Sequence, residues 1–545
     1  MGPVAFDRPA MVRRLGAETF DLLVVGGGIT GVGVALDAAS RGYATALVER
    51  DDFGSGTSSK SSKLIHGGLR YRQQGDIRLV YEALYERQRL RRLAPHLVRV
   101  LPFMIPILSS GGVVNPKIAR ALGSALWMYD LTGGWRIGRR HKRLGKAEAL
   151  AHLPTMDPDR IDSAYLYYDA QADDARLCLT VARTAAAYGA VVVNQARVVE
   201  LERDGAGWRV AVSLGDNRLD VRARTVVNAG GVWSDLVREL DEGASPDSIR
   251  PAKGVHLTVP WEKVRNDIAV VIPVPKDKRS LFVVPWAGHT YVGTTDTDYD
   301  GRLDDPQCTK EDIDYVLRAL NHTVTTGITA ADVTGTWAGL RPLVKAATSG
   351  RTADLSRKHR VTTSANGLVS VTGGKLTTYR RMAVDAVDVA ERQLPGRHRR
   401  SRTKRLPLLG ADGYTEPDGD GRRAHLQRRY GSEAEAVESL IAGDAGLGEP
   451  LVSGLPYVRA EAVYAARHEM ATTVDDVLSR RTRARLLDRA AAADAATDVA
   501  ALLANELGWD DATTAAQAEA FRTAVAHEEA SGRAPAGALD ASFGA

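Results

Sequence analysis

Gly26, Gly28 and Gly31 stand at the G-x-G-x-x-G spacing directly after the apolar run at 22–25. In that pattern the first glycine permits a tight turn, the second lets the backbone approach a pyrophosphate, and the third lets helix and strand pack closely. The helix that follows offers free N–H groups and a partial positive charge to phosphate oxygens. Glu49 lies about 20 residues further on, where a carboxylate accepts the ribose hydroxyls of an adenosine half and disfavours a 2′-phosphate. A second glycine-rich segment, Val371-Thr372-Gly373-Gly374-Lys375-Leu376-Thr377-Thr378-Tyr379, lies far along the chain. Two such segments imply one long cofactor held from both sides, which favours a flavin over a nicotinamide.

The surrounding elements suit this reading. Residues 22–25 read as a strand, 31–41 as a helix broken by Gly42, and 44–48 as a second strand ending at Glu49. Apolar residues at 77, 80, 81 and 84 predict a helix within 76–97. A helix at 176–188 and a strand at 191–193 precede short strands at 197–202, 208–214 and 219–223, separated by Asp-Gly and Gly-Asp turns. A further strand at 225–229 runs into Gly230-Gly231, and runs at 270–273, 281–286 and 291–293 predict a second, antiparallel sheet. Residues 397–405 read as a basic, exposed linker. Beyond it the chain is rich in alanine and charge with helical periodicity at 484–507 and 511–529.

At 545 residues the chain exceeds one core, so two or three domains are expected. A hydrophobic fraction of 44% and a charged fraction of 26% are ordinary for a globular protein. Lysine and arginine exceed the acids by 72 to 67, too small an excess to argue for nucleic acid. Cys178 and Cys308 form no disulfide framework and fit a reducing compartment. The apolar stretch at 22–36 falls short of the roughly 20 residues of a spanning helix, and the start of the chain lacks a signal-peptide core. A cytoplasmic protein is expected.

Six further strings carry a resemblance. They are Ser61-Ser62-Lys63-Leu64-Ile65-His66-Gly67-Gly68-Leu69-Arg70-Tyr71, Asp173-Asp174-Ala175-Arg176-Leu177, Val227-Asn228-Ala229-Gly230-Gly231-Val232-Trp233, Gly293-Thr294-Thr295-Asp296, Gly339-Leu340-Arg341-Pro342-Leu343 and Gly373-Gly374-Lys375-Leu376-Thr377-Thr378-Tyr379-Arg380. In order and type they resemble the motifs of the FAD-dependent, respiratory glycerol-3-phosphate dehydrogenase family, over roughly residues 18–500. The resemblance implies an α/β fold: an FAD-binding doubly wound (Rossmann-type) domain, an antiparallel β-sheet substrate cap and a C-terminal α-helical domain. The FAD domain would occupy 18–90 and return at 171–235 and 335–393. The cap would take 91–170 and 236–334, the basic linker 394–405 and the helical domain 406–545.

The implied reaction is oxidation of sn-glycerol 3-phosphate to dihydroxyacetone phosphate with FAD as hydride acceptor and a quinone as the electron sink. An arginine fork suits a phosphate dianion, and Arg70 and Arg341 match the family's substrate arginines. Tyr71 adds a hydroxyl. Arg357 is a third candidate in a stretch, 345–360, that departs from the family pattern. Lys375 would pair with substrate phosphate or steady the negative charge of reduced flavin. His66 and His256 are candidate general bases, because imidazole titrates near working pH. Arg341, Lys375, His66 and His256 therefore form the catalytic set. The cofactor set is Gly26, Gly28, Gly31, Glu49, Thr57, Ser58, Ser59, Ser62, Gly67, Gly68, Gly230, Gly373, Gly374, Lys375, Leu376 and Thr377. No metal is implied. Asp296-Thr297-Asp298-Tyr299-Asp300-Gly301 imitates half of a calcium loop, but Gln307 stands where a bidentate glutamate is needed.

Trp127, Tyr129 and Trp135 lie near the basic run 136–143, a composition suited to an anionic membrane surface. Peripheral contact with the inner face of a membrane and a homodimer complete the expected partners. Two rival activities share the cofactor: a glycerol-3-phosphate oxidase using oxygen, and an amino-acid or amine oxidase of the same flavin superfamily.

Overall fold

A computed structural model of the chain describes residues 6–67, 77–110, 113–114, 123–124, 126–129, 137–275, 277, 279–345 and 358–535. Leu22, Leu23 and Val24 are wholly buried because their strand, Thr19–Val25, is central in a parallel sheet covered on both faces. Its parallel neighbours are Thr45–Val48 and Asn217–Asn228, with Val191–Val193 beyond the first and Val369–Thr372 beyond the second. Arg360–Thr363 closes one edge in antiparallel sense. The helices Ile29–Ser40, Asp174–Ala187 and Tyr379–Ala390 pack together against this sheet. Strands Arg197–Asp204 and Gly207–Leu214 form the expected meander on Asn217–Asn228.

A second sheet builds on Ile249–Pro260, which pairs with His289–Gly293, with Thr297–Asp298 and, along ten residues, with Gly335–Val344. It continues through Ser280–Trp286, Ala269–Pro273, Arg99–Ser110 and Ile161–Gln171. Every pairing in it is antiparallel except that of Ala269–Pro273 with Arg99–Ser110. Leu64–Ile65, the middle of the Ser61–Gly68 string, is its edge strand, paired with Ala170 and Gln171. The chain therefore passes from the nucleotide domain into the second sheet soon after the strand Thr45–Val48 and the turn Thr57–Ser59.

Helices Arg422–Tyr430, Ala434–Gly443, Arg459–Glu469, Ala496–Leu507 and Asp511–Arg533 make a C-terminal unit with its own apolar core around Val477, Leu487 and Leu503. The α/β class, the doubly wound sheet and the helical C-terminal part stand as expected.

Three local expectations are corrected. The strands read at 219–223 and 225–229 are one strand, Asn217–Asn228, whose alternation at its start gives way to full burial where it enters the parallel core. The helix read at 484–507 is three, because the Asp488 side chain caps a new helix by accepting from the Ala491 N–H. The basic stretch at 397–405 is partly docked. Arg399 donates to the Gly42 carbonyl, and Ser401 and the buried Thr403 donate to Asp37.

The third fingerprint glycine is fixed by contact: a Cβ on Gly31 would lie 1.9 Å from the Gly26 carbonyl oxygen. Gly31→Ala should therefore separate helix from strand at a cost of about 3 kcal/mol. The check is a lower urea midpoint of the apoprotein together with reduced flavin content after purification.

Candidate functional site: a cleft at three strand ends

The carboxyl ends of Thr19–Val25, Asn217–Asn228 and Val369–Thr372 lie side by side, and each strand runs into a glycine turn. These turns, at Gly26–Gly28, Gly230–Gly231 and Gly373–Gly374, border one cleft of about 280 Å³. This is where open parallel sheets hold their ligands. Gly26 has φ +110°, and a Cβ there would meet the Ala229 carbonyl oxygen at 2.7 Å. Gly373 and Gly374 have φ +74° and +83°, the left-handed region that glycine alone enters freely.

Gly28 is the N-cap of Ile29–Ser40, so the amide end of that helix opens on the cleft. Ser58 Oγ accepts from the Ile29 N–H at 2.8 Å, and Thr57 donates to the Leu340 carbonyl at 2.5 Å. The loop 55–58 is thereby held against the helix on one side and the Arg341 strand on the other. Glu49 closes the far wall. Its carboxylate accepts from the Gly27 N–H at 2.5 Å and the Asp51 N–H at 2.8 Å. Burial outweighs these two bonds and pushes its pKa up to about 7.

Beyond Glu49 the walls turn apolar. Val198, Trp233, Leu236 and Leu240 line this end, where Leu236 is 50% and Leu240 37% exposed. An exposed leucine pair one helical turn apart beside a nucleotide motif suits the flat face of an adenine ring. Sequence reading missed these residues, together with Arg50 and Arg197, which also border the cleft. The signal was present: 236 and 240 share a face of a short helix that starts directly after the Gly230-Gly231 turn.

At the opposite end stand Pro342, Gly374, Lys375 and Leu376. Lys375 precedes the turn Leu376–Thr378 and the helix Tyr379–Ala390, so its backbone starts that helical segment. Arg341, next to Pro342, donates to Thr294 Oγ1 at 3.1 Å and the Thr295 carbonyl at 3.2 Å, and pairs with Asp296 at 3.3 Å. The Gly293-Thr294-Thr295-Asp296 string is therefore an arginine holder. Asp298 likewise pairs with Arg250, so two carboxylates of the calcium-like string are engaged by arginines.

The two histidines separate. His66 donates its backbone N–H to Thr377 Oγ1 at 3.2 Å, which ties the first motif to the second. His256 is buried, stacks on Trp337 at 4.8 Å and meets Ser62 Oγ through Nε2 at 2.8 Å. Its Nδ1 makes no hydrogen bond among the described residues. Burial first, then Lys63 and Arg341, hold its pKa well below the ordinary histidine value, so the ring is neutral. Neither ring is among the described residues lining the cleft. Ser59 is buried just behind the loop, Gly67 donates to Asp169, and Gly230 is fixed by the Asn228 side chain. Gly68, Arg70, Tyr71 and Arg357 lie outside the described residues.

Glycine-lined phosphate space, a helix N-terminus, a ribose-side carboxylate and an apolar adenine end fit FAD, whose ring system supplies a two-electron acceptor when bound. The fold and cleft define an FAD-dependent oxidoreductase. A model of that description, "FAD dependent oxidoreductase", matches residues 21–380, and one for the "C-terminal domain of alpha-glycerophosphate oxidase" matches 401–514. Glycerol-3-phosphate dehydrogenase 2 of Mycobacterium tuberculosis is 42% identical over 93% of this chain and 88% of its own length. The human mitochondrial glycerol-3-phosphate dehydrogenase is 37% identical over 96% of this chain and 76% of its own. The FAD complex of glycerol-3-phosphate dehydrogenase from Bacillus halodurans superimposes with a TM-score of 0.75 at 28% identity, covering 97% of this chain and 98% of that one. Glycine oxidase from Geobacillus kaustophilus, at 21% identity and a TM-score of 0.53 over 74% of this chain and all of its own, shares the fold. The chain belongs to the FAD-dependent glycerol-3-phosphate dehydrogenase family.

The raised pKa of Glu49 has a signed consequence. The folded apoprotein holds this proton more tightly than the unfolded chain, so the stability it contributes is present below the ordinary value of 4.5 and lost as pH rises through about 7. With partial solvent screening the loss is about 2 kcal/mol. Glu49→Gln apoprotein should lose this pH dependence, read from urea midpoints between pH 4.5 and 7.5.

Proposed function

We propose that this protein oxidises sn-glycerol 3-phosphate to dihydroxyacetone phosphate and delivers the electrons to a quinone. The observation that carries the substrate is the held Arg341, whose chain neighbour Pro342 lines the cleft together with Gly374 and Lys375. Its guanidinium is braced by two oxygens and a carboxylate, which leaves it oriented toward an anion without the entropy cost of a free side chain. Lys375 adds a second cation at the same end, and Arg70 is the further phosphate ligand in this reading. Bound FAD would supply the acceptor for the hydride of carbon 2. The hydroxyl proton would leave to His66, whose backbone is tied to Thr377 in the second motif, whereas the neutral, buried His256 orients Ser62.

The acceptor reading draws on surface chemistry. Trp127, 54% exposed, and Met128 lie on a short helical turn, and exposed Arg139 and Arg140 follow in the chain. That combination favours peripheral docking on an anionic bilayer. No helix among the described residues is long and apolar enough to cross a membrane. A second reading, oxygen as acceptor, is favoured by the C-terminal match to an oxidase domain. Peroxide yield measured beside reduction of a quinone analogue decides between them. A homodimer is our expectation for the assembly, read by sedimentation.

Anaerobic glycerol 3-phosphate should bleach the visible flavin band, while glycerol and amino acids leave it intact. An unbleached band with glycerol 3-phosphate would falsify the substrate. Arg341→Ala should keep its FAD yet lose about a hundredfold in kcat/KM, the worth of charge-assisted hydrogen bonds to a phosphate. His66→Gln should abolish the acid limb of the kcat/KM–pH profile, and His256→Gln should retain it; the reverse result transfers the base role to His256.

A further inference from the structure

The C-terminal helical unit has its own apolar core, yet it meets the nucleotide domain through buried charge. One short segment, 480–483, contributes several of these pairs. Arg481, 1% exposed, grips the Asp52 carboxylate with both terminal nitrogens, at 2.5 and 2.9 Å. Arg480 reaches the same carboxylate at 2.6 Å. Arg483 donates to the Ser59 carbonyl and to Asp174 Oδ1 at 3.0 Å. Burial alone would raise the Asp52 pKa, but Arg481 and Arg480 overcome it and hold the group at about 2.

Asp52 and Ser59 bracket the loop whose residues 55–58 border the cofactor cleft. On its cofactor side the loop is tied by the Gly54 N–H to the Gly27 carbonyl at 3.1 Å and by Ser58 to the helix N-terminus. On its far side both ends are held by arginines that arrive from more than 400 positions along the chain. Asp51, one residue before Asp52, donates its amide to the ribose-side carboxylate of Glu49. The clamp thus bears on both the phosphate loop and the ribose acid.

We propose that the C-terminal unit is a latch for the flavin cofactor: Arg481 and Arg483 position the 52–59 loop, so docking of this unit and retention of FAD are coupled. The coupling is reciprocal, because a ligand that favours the latched loop must itself strengthen the latch. These arginines are positioning residues and touch no reacting atom.

The test compares FAD release from holoenzyme, read as the rise in flavin fluorescence on dilution, for wild type, Arg481→Lys and Asp52→Asn. Arg481→Lys keeps the charge and the fold but loses the two-pronged grip. Release at least tenfold faster in both variants is expected. Arg467→Gln, which removes a C-terminal ion pair with Glu506 remote from the loop, should release FAD at the wild-type rate. Hydrogen exchange on the full wild-type chain gives a second arm that needs no variant. FAD binding should slow exchange not only at 54–59 but also at 476–483. Wild-type release rates in Arg481→Lys and Asp52→Asn, equal acceleration by Arg467→Gln, or exchange at 476–483 indifferent to FAD would each overturn the proposal.

Discussion

The structure depends on three parallel strands ending at one level. Thr19–Val25, Asn217–Asn228 and Val369–Thr372 are neighbours in register, although their sequence positions span most of the chain. Because each ends in glycine, the backbone can turn away within van der Waals distance of its neighbour. A side chain on Gly26 would collide with the Ala229 carbonyl, and one on Gly374 with Met382. The cleft exists because nothing bulkier stands at those three turns. The second sheet is joined through the Leu64–Ile65 edge strand, and Arg341 arrives on the strand Gly335–Val344, whose Gly339 abuts the Lys60 carbonyl.

Buried charge ties elements within the nucleotide domain and crosses from it to the helical unit, beside apolar contacts such as Met470 in the nucleotide core. Arg41, wholly buried, pairs with Asp37, Asp388 and Glu391; Arg176 pairs with Glu469, and Arg183 with Glu433. Such pairs add little net stability over a well-packed apolar substitute, yet removing one member strands the other at a cost of about 3–5 kcal/mol. A greasy interface tolerates sliding, whereas a bidentate carboxylate–guanidinium contact has one good geometry. Burying many of them fixes the angle at which the helical unit meets the nucleotide domain. The Asp388–Glu391–His398 cluster belongs to this class, with Arg41 already supplying the compensating charge.

The nucleotide half of the site was legible in the sequence because its constraints are local. Glycine spacing, the following helix and the strand-ending Glu49 all fall within about 30 residues. The family strings extended this to the second glycine turn. What escaped was non-local. Nothing in the sequence joins Arg481 to Asp52, or shows that Thr294 and Asp296 are holders of Arg341. The division of Asn217–Asn228 into two strands followed from reading a change of burial as a change of element. The periodicity at 484–507 reads as one helix, although the Asp488 side chain starts a new one within it. The basic stretch before residue 406 reads as solvated, yet its Arg399 guanidinium and its hydroxyls satisfy groups of the turn after the Ile29–Ser40 helix and of the helix itself.

The environment of Arg341 shows how a distant backbone position sets the chemistry of a side chain. Gly254 lies in the strand paired with the Arg341 strand, and any Cβ there would come within 2.4 Å of the guanidinium. Only glycine lets the arginine lie flat across the strand and reach Thr294 and Asp296. The same strand carries His256 two residues on, with its ring confined between Trp337 and the Gly293 backbone, where a Cβ would meet it at 2.3 Å. Lys63 lies 4.5 Å over the Trp337 face and pairs with Asp174, so a cation stands behind the aromatic wall while Arg341 stands in front of it. Burial first, and then the nearby charges of Lys63 and Arg341, disfavour an imidazolium, and His256 keeps a neutral ring whose polar contact is to Ser62.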